Sequence, residues 1–137
     1  MAPPLSGILQ KVNPFVGTSG DRGQMYPGAE MPFGLIKLAP DTYPGALSGT
    51  AHSGYDYEDR SVVGFSHLRF SGVGNAGVGG NVSVLPLVAQ PESLEPGAYR
   101  QPFRKESETC CPGYYSLVLE YGIKAELTAS HHVGVHR

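Results

Sequence analysis

Apolar and polar positions alternate with a period of two in several short segments of the chain. From 123 to 130, Ile, Ala, Leu and Ala take every second position, and Lys, Glu, Thr and Ser fill the others. Such alternation places apolar side chains on one face of a strand and polar ones on the other. A similar run at 115–119 precedes it, with a short turn at 120–122. The pattern predicts an antiparallel hairpin with Leu127 in the core and Lys124 in solvent.

Three further segments are predicted to be strands, because apolar runs lie between Pro, Gly and Asn. They are PFGLIKLAP, SVVGFSHLRF and NVSVLPLV. No segment longer than about ten residues carries apolar positions at helical spacing without a Gly or Pro in it. The predicted fold class is therefore all-β, an antiparallel β-sandwich. Because the chain ends directly after a period-two segment, we expect the sandwich to be incomplete and the 137 residues to be the start of a larger unit.

The composition indicates a folded, loop-rich domain. A chain of 137 residues is long enough for one domain with a modest core, and 40% of its residues are hydrophobic. Its 19 Gly and 12 Pro residues keep the regular segments short, but stay below the content typical of disorder.

Charge and hydropathy exclude two classes of partner. The chain has 10 Lys and Arg against 12 Asp and Glu and no basic stripe, so nucleic acid is not an expected partner. No run of about 18 apolar residues is present, so no membrane span is expected. The N-terminus lacks the pattern of a signal peptide, and the adjacent Cys110 and Cys111 lack the spacing of redox or zinc sites. The localisation is therefore unknown from the sequence.

A glycine-rich segment at 64–80 contains Gly72-x-Gly74-x-x-Gly77, the spacing of a dinucleotide-binding loop. Such glycines should open a helix, but this run leads into the strand-like NVSVLPLV, so we reject a nucleotide site. Glycine also permits positive φ and close approach of the backbone, which lets main-chain N–H groups face a ligand or a neighbouring domain. A flexible connection between strands explains the glycines equally well.

The titratable residues form no complete catalytic or metal centre by their spacing. The five histidines lack the helical spacing or the Cys partners of a zinc site. Asp56, Glu58 and Asp59 indicate a solvated turn, with no apolar pocket to raise a carboxyl pKa. His67 stands at the end of a predicted strand beside the glycine-rich segment, where a rigid scaffold can aim it at a ligand. A histidine that is hydrogen-bonded within the sandwich is the alternative.

Four long motifs, in order, carry a resemblance to a known family. They are VNPFVGT, MYPGAEMPFGLIKLAPDT, SGYDYEDRSVVGFSHLRFSGVG and PGYYSLVLEYGIKAELTASHHVGVHR. Together they resemble the N-terminal β-sandwich domain of the calcium-dependent exo-α-mannosidases of glycoside hydrolase family 92. The resemblance begins at Val12, so 1–11 is interpreted as an N-terminal extension and 12–137 as the truncated sandwich domain.

The resemblance implies that a larger (α/α)6-barrel domain follows the sandwich and is its partner within the full-length chain. It implies hydrolysis of non-reducing α-linked mannose in mannose-containing glycans, often α-1,2-linked, with inversion of configuration. Inversion uses a carboxylic acid and a carboxylate about 6.5–9.5 Å apart. The family supplies that pair and most of the calcium site from the barrel, so the resemblance places no catalytic residue and no metal ligand on this chain. Members of the family are commonly periplasmic or secreted.

The resemblance also implies which parts of the sandwich form the rim of the sugar pocket. The family builds that rim from loops that resemble 17–28, 41–57 and 67–74. Substrate contact is therefore expected for six residues, namely Asp41, Tyr55, His67, Ser71, Gly72 and Gly74. On this interpretation the glycines let the sandwich approach the barrel and the bound sugar.

The chain departs from the family at several positions. The family often has tryptophans between the segments that resemble Asp41 and Tyr55, and this chain has no Trp. Arg69 stands where many members have a second histidine, and GDRGQM lacks the histidines of the corresponding family loop. These departures leave the linkage specificity open. The alternative function is a free-standing carbohydrate-binding or interaction sandwich without catalysis.

Overall fold

The computed structural model describes residues 6–20, 24–42, 53–70, 79–95 and 97–137, and these residues form an all-β structure. Short 3-10 helices span Gly7–Lys11 and Lys105–Ser107. The strands are Ala29–Glu30 (β1), Lys37–Asp41 (β2), Ser61–Val62 (β3), Gly64–Arg69 (β4), Gly79–Val84 (β5), Gln101–Pro102 (β6), Thr109–Cys111 (β7), Tyr114–Val118 (β8), Lys124–Ala129 (β9) and Gly134–His136 (β10).

The strands pair into two four-stranded antiparallel sheets and a short ribbon. The first sheet has the order β1-β2-β4-β5, and the second has the order β10-β9-β8-β7. The ribbon joins β3 to β6. This arrangement confirms the predicted all-β, antiparallel sandwich.

The core lies between the two sheets, where each sheet turns its apolar face inward. The first sheet contributes Leu38 and Phe65, and the second contributes Leu117 and Leu127 among others. The β8–β9 hairpin has the predicted register, with Leu117 opposite Ala125, and Leu127 is 1% exposed. The period-two pattern therefore assigned the buried face of this hairpin correctly.

A smaller apolar cluster lies on the opposite, outer face of the first sheet. Ala39 of β2 packs there against Tyr26, from the segment before β1, and Tyr55, from the segment between β2 and β3. Hydrogen bonds attach the later loop to the end of β2, because Thr42 N–H donates to the Gly54 carbonyl at 2.9 Å. The segments that carry Asp41 and Tyr55 are thus fastened to the outer face of the sheet.

Neither 3-10 helix in the described part of the chain has the length or the apolar character needed to span a bilayer. Cys110 and Cys111 lie in β7 as free thiols. Burial raises the pKa of the Cys110 thiol, so its reactive thiolate form is disfavoured.

Replacement of Leu127 by alanine tests the core assignment. Leu127→Ala removes a fully buried side chain between the sheets and should lower the free energy of unfolding by about 2–5 kcal/mol. Leu94→Ala is the matched control, because the Leu94 side chain is 83% exposed and its loss should cost within about 0.5 kcal/mol. Urea denaturation of the purified chains measures both values. Equal costs at the two leucines would contradict the packing.

Candidate functional site

A buried ion pair joins Asp41, the last residue of β2, to Arg69, the last residue of the neighbouring strand β4. Arg69 Nη2 lies 2.5 Å from Asp41 Oδ1, and Arg69 Nε donates to the same oxygen at 2.7 Å. The two side chains are only 3% and 4% exposed, so water screens the pair very little. This is the most deeply buried ion pair among the described residues, and it lies on the outer face of the first sheet.

Hydroxyl groups complete the surroundings of the Asp41 carboxylate. The hydroxyl of Ser66, from β4, donates to Oδ2, and the hydroxyl of Ser83, from β5, lies 3.5 Å from the same oxygen. Burial raises the pKa of Asp41, while the Arg69 guanidinium and the Ser66 hydroxyl oppose that rise. The Asp41 carboxylate of β2 is therefore held by partners from two neighbouring strands, β4 and β5.

Two glycines make room for the Arg69 guanidinium. A Cβ atom at Gly54 would lie 2.4 Å from Arg69 Cζ, and one at Gly80 would lie 2.7 Å from it. Both glycines also have positive φ, at +84° and +85°, which disfavours any residue with a side chain. Arg69 Nη1 is buried with no hydrogen-bond partner in the structure. The guanidinium is thus enclosed by backbone above and below.

A second buried polar cluster surrounds the Glu108 carboxylate. Its Oε1 accepts hydrogen bonds from the hydroxyls of Tyr55 at 2.7 Å and Tyr115 at 2.6 Å. Its Oε2 lies 2.6 Å from Lys105 Nζ, which also stands 3.8 Å from the centre of the Tyr57 ring. Burial, followed by the Glu108 charge, raises the pKa of Tyr55, so its hydroxyl stays protonated. Tyr55 therefore fastens its loop to the strand region after β6.

His67 faces the opposite side of the first sheet from Asp41. It alternates with Ser66 along β4, and its ring meets His136 of β10 in the second sheet. The two Nε2 atoms lie 3.1 Å apart, and His67 Nδ1 lies 2.8 Å from the Val82 carbonyl oxygen. Because a carbonyl only accepts, His67 Nδ1 carries the proton, and Nε2 is left with its lone pair.

The structure separates the residues that the sequence grouped at one rim. Asp41 and Tyr55 lie on neighbouring segments on the outer face of the first sheet, whereas His67 lies between the sheets. The other three predicted residues, Ser71, Gly72 and Gly74, lie outside the described residues. Substrate contact by all six stays a prediction.

The interpretation of 56–59 as a wholly solvated turn was wrong at Asp59. Burial raises the pKa of the Asp59 carboxyl, and its Oδ2 is buried with no hydrogen-bond partner. The cause is a tertiary contact. The turn packs against the residue after β2, where the Asp56 N–H donates a hydrogen bond to Thr42 Oγ1 at 2.9 Å. A local sequence pattern does not report such packing.

Sequence reasoning missed three residues that dominate these clusters: Arg69, Glu108 and His136. In the sequence Arg69 stands out only as a departure from the family pattern, although a charged residue in a predicted core strand needs a buried partner. Glu108 and His136 had no local signal, because their partners come from distant strands.

Comparisons with known proteins agree with this architecture. Residues 11–137 match the glycosyl hydrolase family 92 N-terminal domain. The chain belongs to this family. The chain is 35% identical to a family GH92 alpha-mannosidase from Bacteroides thetaiotaomicron, with a TM-score of 0.77 over 94% of this chain. It is 35% identical to the GH92 family glycosyl hydrolase ccman5, with a TM-score of 0.80 over 95% of this chain.

A relative from Arthroderma benhamiae, described as an uncharacterized secreted glycosidase, is 30% identical over 135 residues. This chain covers 94% of its own length in that match but 17% of the relative. It covers 18% of each of the two solved structures above. The chain therefore spans less than a fifth of the relatives that it matches.

Arg69→Met tests the buried ion pair. Removal of the guanidinium leaves Asp41 as an uncompensated buried charge, so the free energy of unfolding should fall by about 3–5 kcal/mol. Adding Asp41→Asn removes that charge and should restore part of the loss. Arg104→Met, at an exposed arginine, is the matched control and should cost within about 0.5 kcal/mol. If chemical denaturation gives additive losses for the two changes at the pair, the coupling does not exist.

The His67–His136 contact predicts a dependence of stability on pH. Burial, followed by the His67 charge, lowers the pKa of His136 in the folded chain. The unfolded chain then binds more protons below the ordinary histidine pKa of about 6.5, so stability should fall as the pH is lowered through that window. His136→Gln should flatten the pH profile of the unfolding midpoint, whereas His132→Gln should not. A profile of unchanged slope in His136→Gln would contradict the assignment.

Proposed function

We propose that this chain acts as the N-terminal domain of a longer exo-α-mannosidase that removes non-reducing α-linked mannose from mannose-containing glycans. The observation that carries the proposal is the family match over 11–137. The 35% identity to an alpha-mannosidase over 94% of the chain supports it. The catalytic barrel is then the partner of this domain within the same full-length protein.

The carboxylates of the described residues favour a non-catalytic role for this domain. An inverting glycosidase needs one free carboxylic acid and one free carboxylate about 6.5–9.5 Å apart. Asp41 is paired with Arg69, and Glu108 accepts two tyrosine hydroxyls beside Lys105. Both groups already hold protein partners, so neither is suited to transfer a proton to a glycosidic oxygen.

Glu126 of β9 is also unsuited to act as a general acid. Hydrogen bonds from Lys124 Nζ at 2.7 Å and the Tyr114 hydroxyl at 2.6 Å, with Arg137 beside them, lower the pKa of Glu126 to about 2. A group with such a pKa is ionised at neutral pH and donates no proton. In the proposal, as the resemblance to the family implies, the acid and the base of the inverting mechanism belong to the remainder of the protein.

In the proposal, the domain contributes part of the rim of the sugar pocket. The Asp41–Arg69 pair joins β2 to β4, and Glu108 holds the Tyr55 hydroxyl, so buried polar contacts fix the described residues that flank the rim. In the proposal, the six residues Asp41, Tyr55, His67, Ser71, Gly72 and Gly74 line or support that rim. Asp41 and Tyr55 support it from beneath, since both are almost fully buried.

The proposal assigns the calcium site to the remainder of the full-length protein, outside the 137 residues. Calcium takes six to eight oxygen ligands, mostly carboxylates and carbonyls. Among the described residues, no group of three or more Asp, Glu, His or Cys side chains is placed to hold a metal ion. The buried carboxylate of Asp41 is already neutralised by Arg69, so it does not fit such a site.

Activity measurements on two forms of the protein test the proposal. The full-length protein should release mannose from aryl α-mannosides and from α-1,2-mannobiose in the presence of calcium, and chelation should abolish turnover. The first product observed by NMR should be β-mannose, because inversion changes the anomeric configuration. The 137-residue chain alone should be inactive, because it lacks the acid and the base.

Two outcomes would contradict the proposal. Turnover by the 137-residue chain, abolished by chelation, would show that the catalytic groups lie within it. A full-length protein that binds mannosides without hydrolysing them would favour the carbohydrate-binding alternative. Retention of the α configuration would contradict the inverting mechanism but not the mannosidase activity.

A further inference from the structure

The pair His67 and His136 brings two imidazole nitrogens together from different sheets. Their Nε2 atoms lie 3.1 Å apart, and the ring centres are 4.7 Å apart with planes inclined at 38°. Both side chains are partly exposed, so the pair is reachable from solvent. Two neutral imidazoles share at most one hydrogen bond, so this contact adds only modestly to the stability of the fold.

The His67 ring is oriented as a metal ligand is oriented. Its Nδ1–H donates to the Val82 carbonyl oxygen at 2.8 Å, which leaves the Nε2 lone pair directed at His136. Metal-binding histidines commonly donate the other ring N–H to a carbonyl or carboxylate, which fixes the tautomer and the ring plane. Val82 itself has φ +53°, an unfavourable conformation for a β-branched residue, and it carries this carbonyl.

A glycine two residues before His136 makes room for the His67 ring. A Cβ atom at Gly134 would lie 3.0 Å from His67 Cδ2 and 3.0 Å from Leu38 Cδ2. With no side chain at this position, β10 can approach β4 closely enough for the two Nε2 atoms to meet. The approach is therefore built into the packing of both strands.

The distance between the two nitrogens fits joint coordination of one ion. Zinc–nitrogen bonds are about 2.0–2.1 Å long, so two nitrogens 3.1 Å apart subtend an angle of about 100° at the metal. That value lies between the angles of octahedral and tetrahedral coordination. Calcium prefers oxygen ligands, whereas imidazole suits zinc, copper and nickel.

We propose that His67 and His136 form a two-histidine site for a divalent transition-metal ion of the zinc class, with water in the remaining coordination positions. Binding requires both Nε2 lone pairs, so the proton that His136 shares with His67 moves to His136 Nδ1. The bound ion links β4 to β10 and so ties the two sheets together.

Isothermal titration of the purified protein with zinc chloride at pH 7.5 tests the site. We expect one zinc ion per chain, with affinity at least about tenfold weaker in His67→Gln and in His136→Gln. Glutamine keeps a polar side chain of similar length, so these variants preserve packing better than alanine. His132→Gln is the matched control, because His132 is exposed in the turn between β9 and β10. This variant should bind zinc as the unmodified protein does. Circular dichroism establishes that each variant is folded.

Two further measurements separate this site from other binding. The melting temperature should rise by a few degrees with zinc in the unmodified protein and in His132→Gln, but not in the other two variants. Millimolar calcium should not compete with zinc, because calcium prefers oxygen ligands.

The proposal is overturned if the unmodified protein binds no zinc, or if His67→Gln and His136→Gln bind it as tightly as the control. Competition by calcium would also overturn it, because it would assign the ion to oxygen ligands. None of these measurements depends on hydrolysis of mannosides, so they stand or fall separately from the proposed mannosidase activity.

Discussion

The buried ion pair of Asp41 and Arg69 constrains everything on the outer face of the first sheet. Burying two opposite charges away from water costs several kcal/mol for each charge. A fold tolerates this cost only where the two groups are in close contact and further hydrogen bonds satisfy them. Ser66 and Ser83 supply such bonds, and Gly54 and Gly80 leave space for the guanidinium. A change at any of these positions would leave one of the charges exposed to solvent or buried without its partner. The strands and the loop are therefore mutually fixed.

Periodicity predicted those parts of the fold that local alternation determines. The β8–β9 hairpin and its buried face followed from the pattern at 115–130, because neighbouring strands with a short turn keep their register. The ion pair did not follow, because Asp41 and Arg69 are 28 positions apart and no local rule joins them. The Glu108 cluster was missed for the same reason, since Tyr55 is 53 positions away.

Alternation along β4 also explains why the predicted rim was divided. Ser66 and His67 are consecutive in a strand, so their side chains point to opposite faces. Ser66 reaches Asp41 on the outer face, and His67 reaches His136 between the sheets. The prediction placed His67 with Asp41 because the resemblance implies that loops beginning at both residues form the rim. A resemblance between loops does not report which face of a strand a side chain takes.

The two faces of the first sheet consequently serve different purposes. On the outer face, the Asp41 carboxylate is held by Arg69 and Ser66, which favours structural support over direct chemistry. On the inner face, the apolar core accounts for cohesion between the sheets, and the histidine pair adds a polar contact at its margin. Because His67 Nδ1 is held by Val82, the contact has a defined direction that apolar packing lacks. The carboxylates of Asp41 and Glu108 are thus engaged within the domain, where they join strands and segments that are distant in the sequence.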